Sequence, residues 1–131
     1  MDYGRRRTGL SVSDPEGRLA VPLATIACRG LDDLAARITE RAREREAAGV
    51  VLGMPRHEDG RAGDLAPEIE GLAERLRNRG LAVVLWDERL TSWEAGSLLE
   101  HAPRAVRRKK ENIDAVAATL ILQSYLESLP R

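Results

Sequence analysis

Apolar residues along this chain follow two different spacings, which separate predicted helices from predicted strands. They recur every three or four positions over 31–48, 65–76 and 113–124, which predicts three amphipathic helices. Continuous apolar runs at 50–52 and 81–86 predict two short strands buried on both faces, as in a parallel sheet. Segments 8–13 and 19–27 flank a Pro- and Gly-containing turn, which predicts an antiparallel hairpin. A further short helix is expected to begin at Thr91, where the sequence has the form of a capping box.

The order of these elements indicates an α/β protein. Hairpin strands come first, and strands then alternate with helices, which is typical of a mixed sheet with helices on its faces. The 131 residues are expected to form one domain, 1–131. No apolar run is long enough to span a bilayer and no signal peptide is visible, so we expect a cytoplasmic protein with no membrane partner. The single cysteine, Cys28, fits a reducing compartment.

Three acidic residues lie at three predicted junctions of this fold. Asp2 ends a very short first strand, Glu88 follows the apolar run 81–86, and Asp114 lies at the start of the last helix. They can converge if these junctions meet at one edge of the sheet. Carboxylates without a Cys or His cluster favour Mg²⁺ or Mn²⁺, which assist phosphodiester cleavage. Asp87 stays open as an alternative to Glu88, because neighbouring strand residues point to opposite faces.

Basic residues cluster beside two of these carboxylates although the net charge is zero. Their position is where a phosphate backbone would need to lie, and solvated loops are the alternative interpretation. The candidates for nucleic-acid binding are Arg5, Arg6, Arg7, Arg107, Arg108, Lys109 and Lys110. His57 and His101 have no second histidine at metal spacing, which makes zinc an unfavourable alternative.

An ordered set of short motifs resembles the YqgF/RuvX family across nearly the whole chain. The motifs are Asp2-Tyr3-Gly4, Ser11-Val12-Ser13-Asp14, Gly53-Met54-Pro55, Asp87-Glu88-Arg89-Leu90-Thr91 and the run 114–126. That family is described as pre-16S rRNA nucleases and, earlier, as Holliday junction resolvases. Each motif alone is weak, and their order along the chain makes the set specific.

The resemblance implies a fold and a site. The implied fold is an RNase H-like three-layer α/β fold, with a mixed five-stranded sheet and helices on both faces. Its first strand is truncated here, because only Met1 precedes Asp2, so we expect reduced stability and a poorly held Asp2. The implied catalytic and metal-binding residues are Asp2, Glu88 and Asp114, with Mg²⁺ or Mn²⁺ as the cofactor. The family pattern favours Glu88 over Asp87.

The function that the resemblance implies is a metal-dependent nuclease for structured RNA, acting in 5′-end processing of pre-16S rRNA during ribosome biogenesis. One alternative is a Holliday junction resolvase that acts on branched DNA, which requires a symmetric dimer. Another is a non-catalytic nucleic-acid-binding module. No residue pattern marks a dimer face, so a monomer or a weak homodimer is expected.

Overall fold

The structure is a computed structural model that describes residues 1–55, 63–90 and 110–130. Its elements are β1 (Arg7–Ser13), β2 (Ala20–Ala27), α1 (Leu31–Glu44), β3 (Gly49–Met54), α2 (Ala66–Asn78), β4 (Ala82–Asp87), a 3₁₀ turn (Glu88–Leu90) and α3 (Lys110–Ser128). The helix predicted from Thr91 lies outside the described residues, as do His57, His101, Arg107, Arg108 and Lys109.

The described strands form two pairs, and a five-stranded sheet is not confirmed among them. β1 and β2 pair antiparallel, and β3 and β4 pair parallel with Val51 opposite Val84. Among the described residues these are two separate two-stranded sheets. Met1 and Asp2 lie between the two pairs, and the five-stranded arrangement stays a prediction.

Met1 and Asp2 nevertheless bridge the two pairs at one end. Asp2 and Gly9 exchange two backbone hydrogen bonds of 3.0 and 2.9 Å, which is an antiparallel pair. The amino group of Met1 donates to the Val51 carbonyl at 2.6 Å, and the Met1 carbonyl accepts from the Gly53 N–H at 3.1 Å. The bridge therefore runs antiparallel to β1 and parallel to β3. The main chain of Asp2 is hydrogen-bonded to β1, and the reduced stability expected of the short first strand stays a prediction.

Helices cover both faces of this layer, as predicted. Alternate strand residues such as Leu10 and Leu52 join a buried core with Leu34 of α1 and Leu72 of α2. The opposite face meets α3, where the Ser11 hydroxyl donates to the Ala118 carbonyl at 2.9 Å. The α/β class and the two covering layers thus agree with the apolar pattern.

Two helix ends differ from the sequence prediction. α1 ends at Glu44 instead of residue 48, because Glu46 adopts a left-handed conformation with φ of 53°. α3 begins at Lys110, so Asp114 lies in its second turn instead of at its start. Gly80 follows α2 with a φ of 91°, the left-handed conformation typical of a residue that closes a helix.

Candidate active site

Asp2 lies between β1 and β3 at the end of the Met1–Asp2 bridge. Its side chain is half-buried. Burial is the main cause that raises the pKa of the Asp2 carboxyl, the Met1 ammonium opposes it, and the Asp114 charge raises it further. Burial and the negative charge of Asp114 therefore both favour the protonated form of the Asp2 carboxyl.

Glu88 approaches Asp2 from the neighbouring strand. It is the first residue of the 3₁₀ turn after β4. Burial again raises the pKa of the Glu88 carboxyl most, followed by repulsion from Asp2, while the Met1 ammonium lowers it and Asp87 raises it. A Cβ added at Gly53 would lie 2.7 Å from Glu88 Oε1, so the side chain of Glu88 passes directly over the backbone of β3.

Asp114 reaches the site from α3. Its carbonyl group packs so closely on Gly9 that a Cβ added there would collide with it. The carboxylate atom Oδ2 is buried and accepts no hydrogen bond within the described part of the chain, although Arg7 Nε lies 3.4 Å away. A buried carboxylate oxygen with a cation as its neighbour and no donor bonded to it is suited to a cationic ligand.

Gly9, which pairs with Asp2, lies against the Asp114 carbonyl. Gly53, which bonds to Met1, lies against the Glu88 side chain. The three predicted carboxylates therefore belong to one region of the molecule. Their side chains are too far apart to coordinate one ion together. Among residues 1–55, 63–90 and 110–130, no three His, Cys, Asp or Glu side chains lie at metal-binding spacing. The donor chemistry fits a hard cation, since all three supply carboxylate oxygens and Asp114 Oδ2 is unbonded.

Two glycines allow this approach, and sequence reasoning did not assign either of them a role in the site. Gly9 lets the backbone of α3 lie against β1, and Gly53 lets Glu88 cross β3 beside the side chain of Ile121. The available signal was a glycine inside a predicted strand, which often marks a close approach by another chain segment.

Asp87, the alternative to Glu88, forms a different contact. It ends β4 and pairs with Arg89 at 2.6 Å, and its carboxylate also accepts from the Arg89 backbone N–H at 2.9 Å. This ion pair is the surface interaction expected when Asp87 is not a ligand. Trp86 packs edge-on against Tyr125 of α3 with 5.5 Å between ring centroids, so its ring contributes to the packing of that helix.

The predicted basic contacts divide into three groups. Arg5 pairs with Glu68 of α2 at 3.0 Å and Arg7 pairs with Asp114, so both have intramolecular partners. Arg6 has an exposed side chain. Lys110 opens α3, and the other basic candidates lie outside the described residues.

Comparison with known proteins identifies the family. A family model described as "RuvX: Holliday junction resolvase" matches residues 1–128, so the chain belongs to the RuvX family. It is 38% identical to a "Putative pre-16S rRNA nuclease" of Pelotomaculum thermopropionicum, covering 100% of this chain and 86% of that protein. It is 39% identical to a protein of the same name from Moorella thermoacetica, covering 98% and 93%. Within its described residues, the chain has no helix suited to crossing a membrane.

Proposed function

We propose that this chain is a divalent-metal-dependent nuclease that hydrolyses phosphodiester bonds in the 5′-end processing of pre-16S rRNA. Its family and the names of its relatives support the nuclease class and the rRNA substrate. The observation that carries the proposal is the position of Asp2: its partner Gly9 packs against Asp114, and its neighbour Met1 bonds to Gly53, which lies against Glu88.

The proposed fold is RNase H-like, with the strand order β2, β1, Met1–Asp2, β3, β4. The hydrogen bonds of Met1 and Asp2 support it, because they link the two strand pairs with the orientations of one mixed sheet. In this arrangement Asp2 occupies the central position. β4 then delivers Glu88 from one side, and α3 delivers Asp114 across β1.

The proposed roles of the residues follow from their charges. Asp2, Glu88 and Asp114 would hold Mg²⁺ or Mn²⁺, which supplies charge stabilisation to the reacting phosphate oxygens. The three carboxylates repel one another when all are ionised, so cation binding has to compensate that repulsion. Arg6 and the basic segment that contains Arg107, Arg108, Lys109 and Lys110 would contact the phosphate backbone.

The decisive experiment uses the adjacent pair Glu88 and Asp87. Glu88→Gln should lose Mg²⁺-dependent cleavage of a structured RNA that carries the 5′ precursor segment of 16S rRNA. Asp87→Asn is the control, because it also replaces a carboxylate with an amide, one residue away. It should retain most of the cleavage activity, because Asp87 is paired with Arg89. Asp2→Asn and Asp114→Asn should behave like Glu88→Gln. Normal cleavage by Glu88→Gln or Asp114→Asn would contradict the site assignment.

A Holliday junction resolvase is the second candidate, favoured by the description of the family model. The same purified protein is tested on a four-way DNA junction, with its mass in solution measured in parallel. Symmetric cleavage of the junction by a dimer, with the precursor RNA left intact, would support this function over rRNA processing.

A further inference from the structure

A tight turn of residues 3–6 follows the candidate ligand Asp2 directly and leads into β1. Its backbone is closely packed, because a Cβ added at Gly4 would collide with the Arg7 carbonyl oxygen. The Thr8 hydroxyl also donates to the Gly4 carbonyl at 3.5 Å. The orientation of Asp2 therefore depends on how this turn is held.

Asp2 and Tyr3 point to opposite faces of the strand layer. Asp2 lies opposite Gly9, at which an added Cβ would meet Asp114 of α3, so the Asp2 side chain shares the face that α3 covers. Tyr3 is only 8% exposed and belongs to the core on the other face, with residues of α1 and α2. Because successive residues of an extended chain alternate between faces, a movement of Tyr3 out of the core would also turn the Asp2 carboxylate.

Glu68, in the first turn of α2, contacts this turn at two points. Its two carboxylate oxygens accept from Arg5 Nε at 3.0 and 3.2 Å. Its second partner is the Tyr3 hydroxyl. Burial, the charges of Glu68 and Cys28 and the hydrogen bond to Glu68 raise the pKa of Tyr3 to about 12, against the opposing charge of Arg5. Tyr3 thus keeps its proton at neutral pH and donates it to the Glu68 carboxylate.

The two contacts differ in their surroundings. Arg5 is 64% exposed, so its ion pair with Glu68 contributes little to the stability of the whole fold. Tyr3 is buried, and only 34% of the Glu68 side chain is exposed, so their contact is better shielded from water. Both contacts act on the turn after Asp2, and their effect is therefore expected to be local.

We propose that Glu68 is a positioning residue for Asp2, because it holds Tyr3 and Arg5 on α2 and thereby sets the direction of the Asp2 carboxylate. This inference rests on the proposed function, in which Asp2 is a metal ligand. Replacing residues that orient metal ligands typically reduces metal affinity or activity by about 10–100-fold. Glu68 acts through the main chain of Tyr3, so the lower end of this range is expected.

The test compares Glu68→Ala with Glu68→Gln and with Glu70→Ala, a control at an exposed position of the same helix. Glu68→Ala should weaken Mn²⁺ binding in calorimetric titration and lower kcat for RNA cleavage, each by about tenfold. Its KM for the RNA should not rise, because Arg5 is released and no phosphate contact is removed. Glu68→Gln should recover most of the loss, because its amide oxygen still accepts from Tyr3. Glu70→Ala should match the parent.

Tyr3→Phe separates the two contacts of Glu68. It removes the hydroxyl and leaves the Arg5 pair and the buried ring in place. Mn²⁺ affinity and kcat should fall in the same direction as in Glu68→Ala, by a smaller factor. Parent-like values in Tyr3→Phe would overturn the part of the proposal that acts through Tyr3.

Hydrogen exchange supplies a readout that needs neither metal nor activity. In Glu68→Ala, the amides of Asp2 and Gly9, which bond to each other's carbonyls, should exchange faster than in the parent. The Leu52 amide of β3 should keep its rate. Unchanged exchange at Asp2 and Gly9 would overturn the proposal.

Parent-like Mn²⁺ affinity and kcat in Glu68→Ala would also overturn it, as would equal losses in Glu68→Ala and Glu70→Ala. A parent protein that neither binds Mn²⁺ nor cleaves RNA would contradict the proposed function instead. The exchange rates at Asp2 and Gly9 would then decide alone whether Glu68 positions Asp2, so the two failures are distinguishable.

Discussion

The space between β1 and β3 has a closed end and an open end, and the two ends differ in how the backbone groups of the facing strands are hydrogen-bonded. At the closed end, Met1 and Asp2 satisfy both strand edges with four hydrogen bonds of 2.6–3.1 Å. At the open end, residues 11–13 and 49–51 face a cleft. The candidate site lies wholly at the closed end. Main-chain hydrogen bonds therefore position Asp2 at the closed end, and glycines allow its partners to approach.

The largest effect on stability is expected from replacing Gly9, because this glycine allows α3 to lie against β1. Gly9→Ala would place a methyl group into the backbone of α3 at Asp114, and backbone atoms cannot rotate away. We expect a loss of about 1–3 kcal/mol in the free energy of unfolding, together with loss of cleavage. Ser13→Ala, at the open end of the same strand, should stay within about 0.5 kcal/mol of the parent. Urea denaturation measures both, and equal stabilities would contradict the packing argument.

A smaller cost in stability is expected at Gly53, where the obstructing atoms belong to side chains. A Cβ would lie 2.6 Å from Ile121 Cδ1 and 2.7 Å from Glu88 Oε1, and both groups can move. Gly53→Ala should therefore remain folded and lose cleavage, because Glu88 is displaced. Gly71→Ala inside α2 is the matched control and should leave activity intact. Full activity of Gly53→Ala would show that Glu88 need not cross β3.

The carboxylates of the closed end should make stability depend on pH. The pKa values of Asp2 and Glu88 are raised from 3.8 and 4.5, so each carboxyl holds its proton more tightly in the folded chain. This contribution to stability is complete below those ordinary values and is lost as pH rises through the raised ones. In EDTA, Asp2→Asn and Glu88→Gln should melt above the parent at pH 7, and the difference should vanish towards pH 4.

The control for this prediction is Glu74→Gln, on the exposed side of α2, whose melting temperature should follow the parent at every pH. Addition of Mg²⁺ should reverse the order of the site variants and the parent, because only the parent keeps all three carboxylates. Site variants that melt below the parent in EDTA at pH 7 would contradict the repulsion between Asp2 and its neighbours.

The smallest effect is expected from Arg7. Its pair with Asp114 is partly solvated, with 45% of the Arg7 side chain exposed, so Arg7→Gln should change stability by no more than about 0.5 kcal/mol. Mn²⁺ should bind this variant more tightly, because a competing positive charge is removed from Asp114. Arg37→Gln, which removes a comparable pair with Asp33 on α1, should leave Mn²⁺ affinity unchanged in calorimetric titration. Weaker Mn²⁺ binding by Arg7→Gln would contradict the competition.

Some of the fold was predictable because its causes are local. The apolar stripe of α2 and the left-handed Gly80 that follows it depend on residues close in sequence. The end of α1 was mispredicted, because the left-handed conformation falls on Glu46, a residue type that rarely adopts it, and the nearby Gly49 opens β3. The candidate carboxylates were visible as acidic residues at predicted junctions, and their roles stay predictions.

The sequence by itself determined the α/β class, the strand and helix segments and the three acidic candidates, because periodicity and turn residues act over a few positions. Tertiary structure alone decided that Met1 and Asp2 bridge β1 and β3, that Gly9 admits α3, and that Arg7 pairs with Asp114. Those contacts join residues that are far apart along the chain. Their geometry depends on how whole elements pack, which no local pattern of residues encodes.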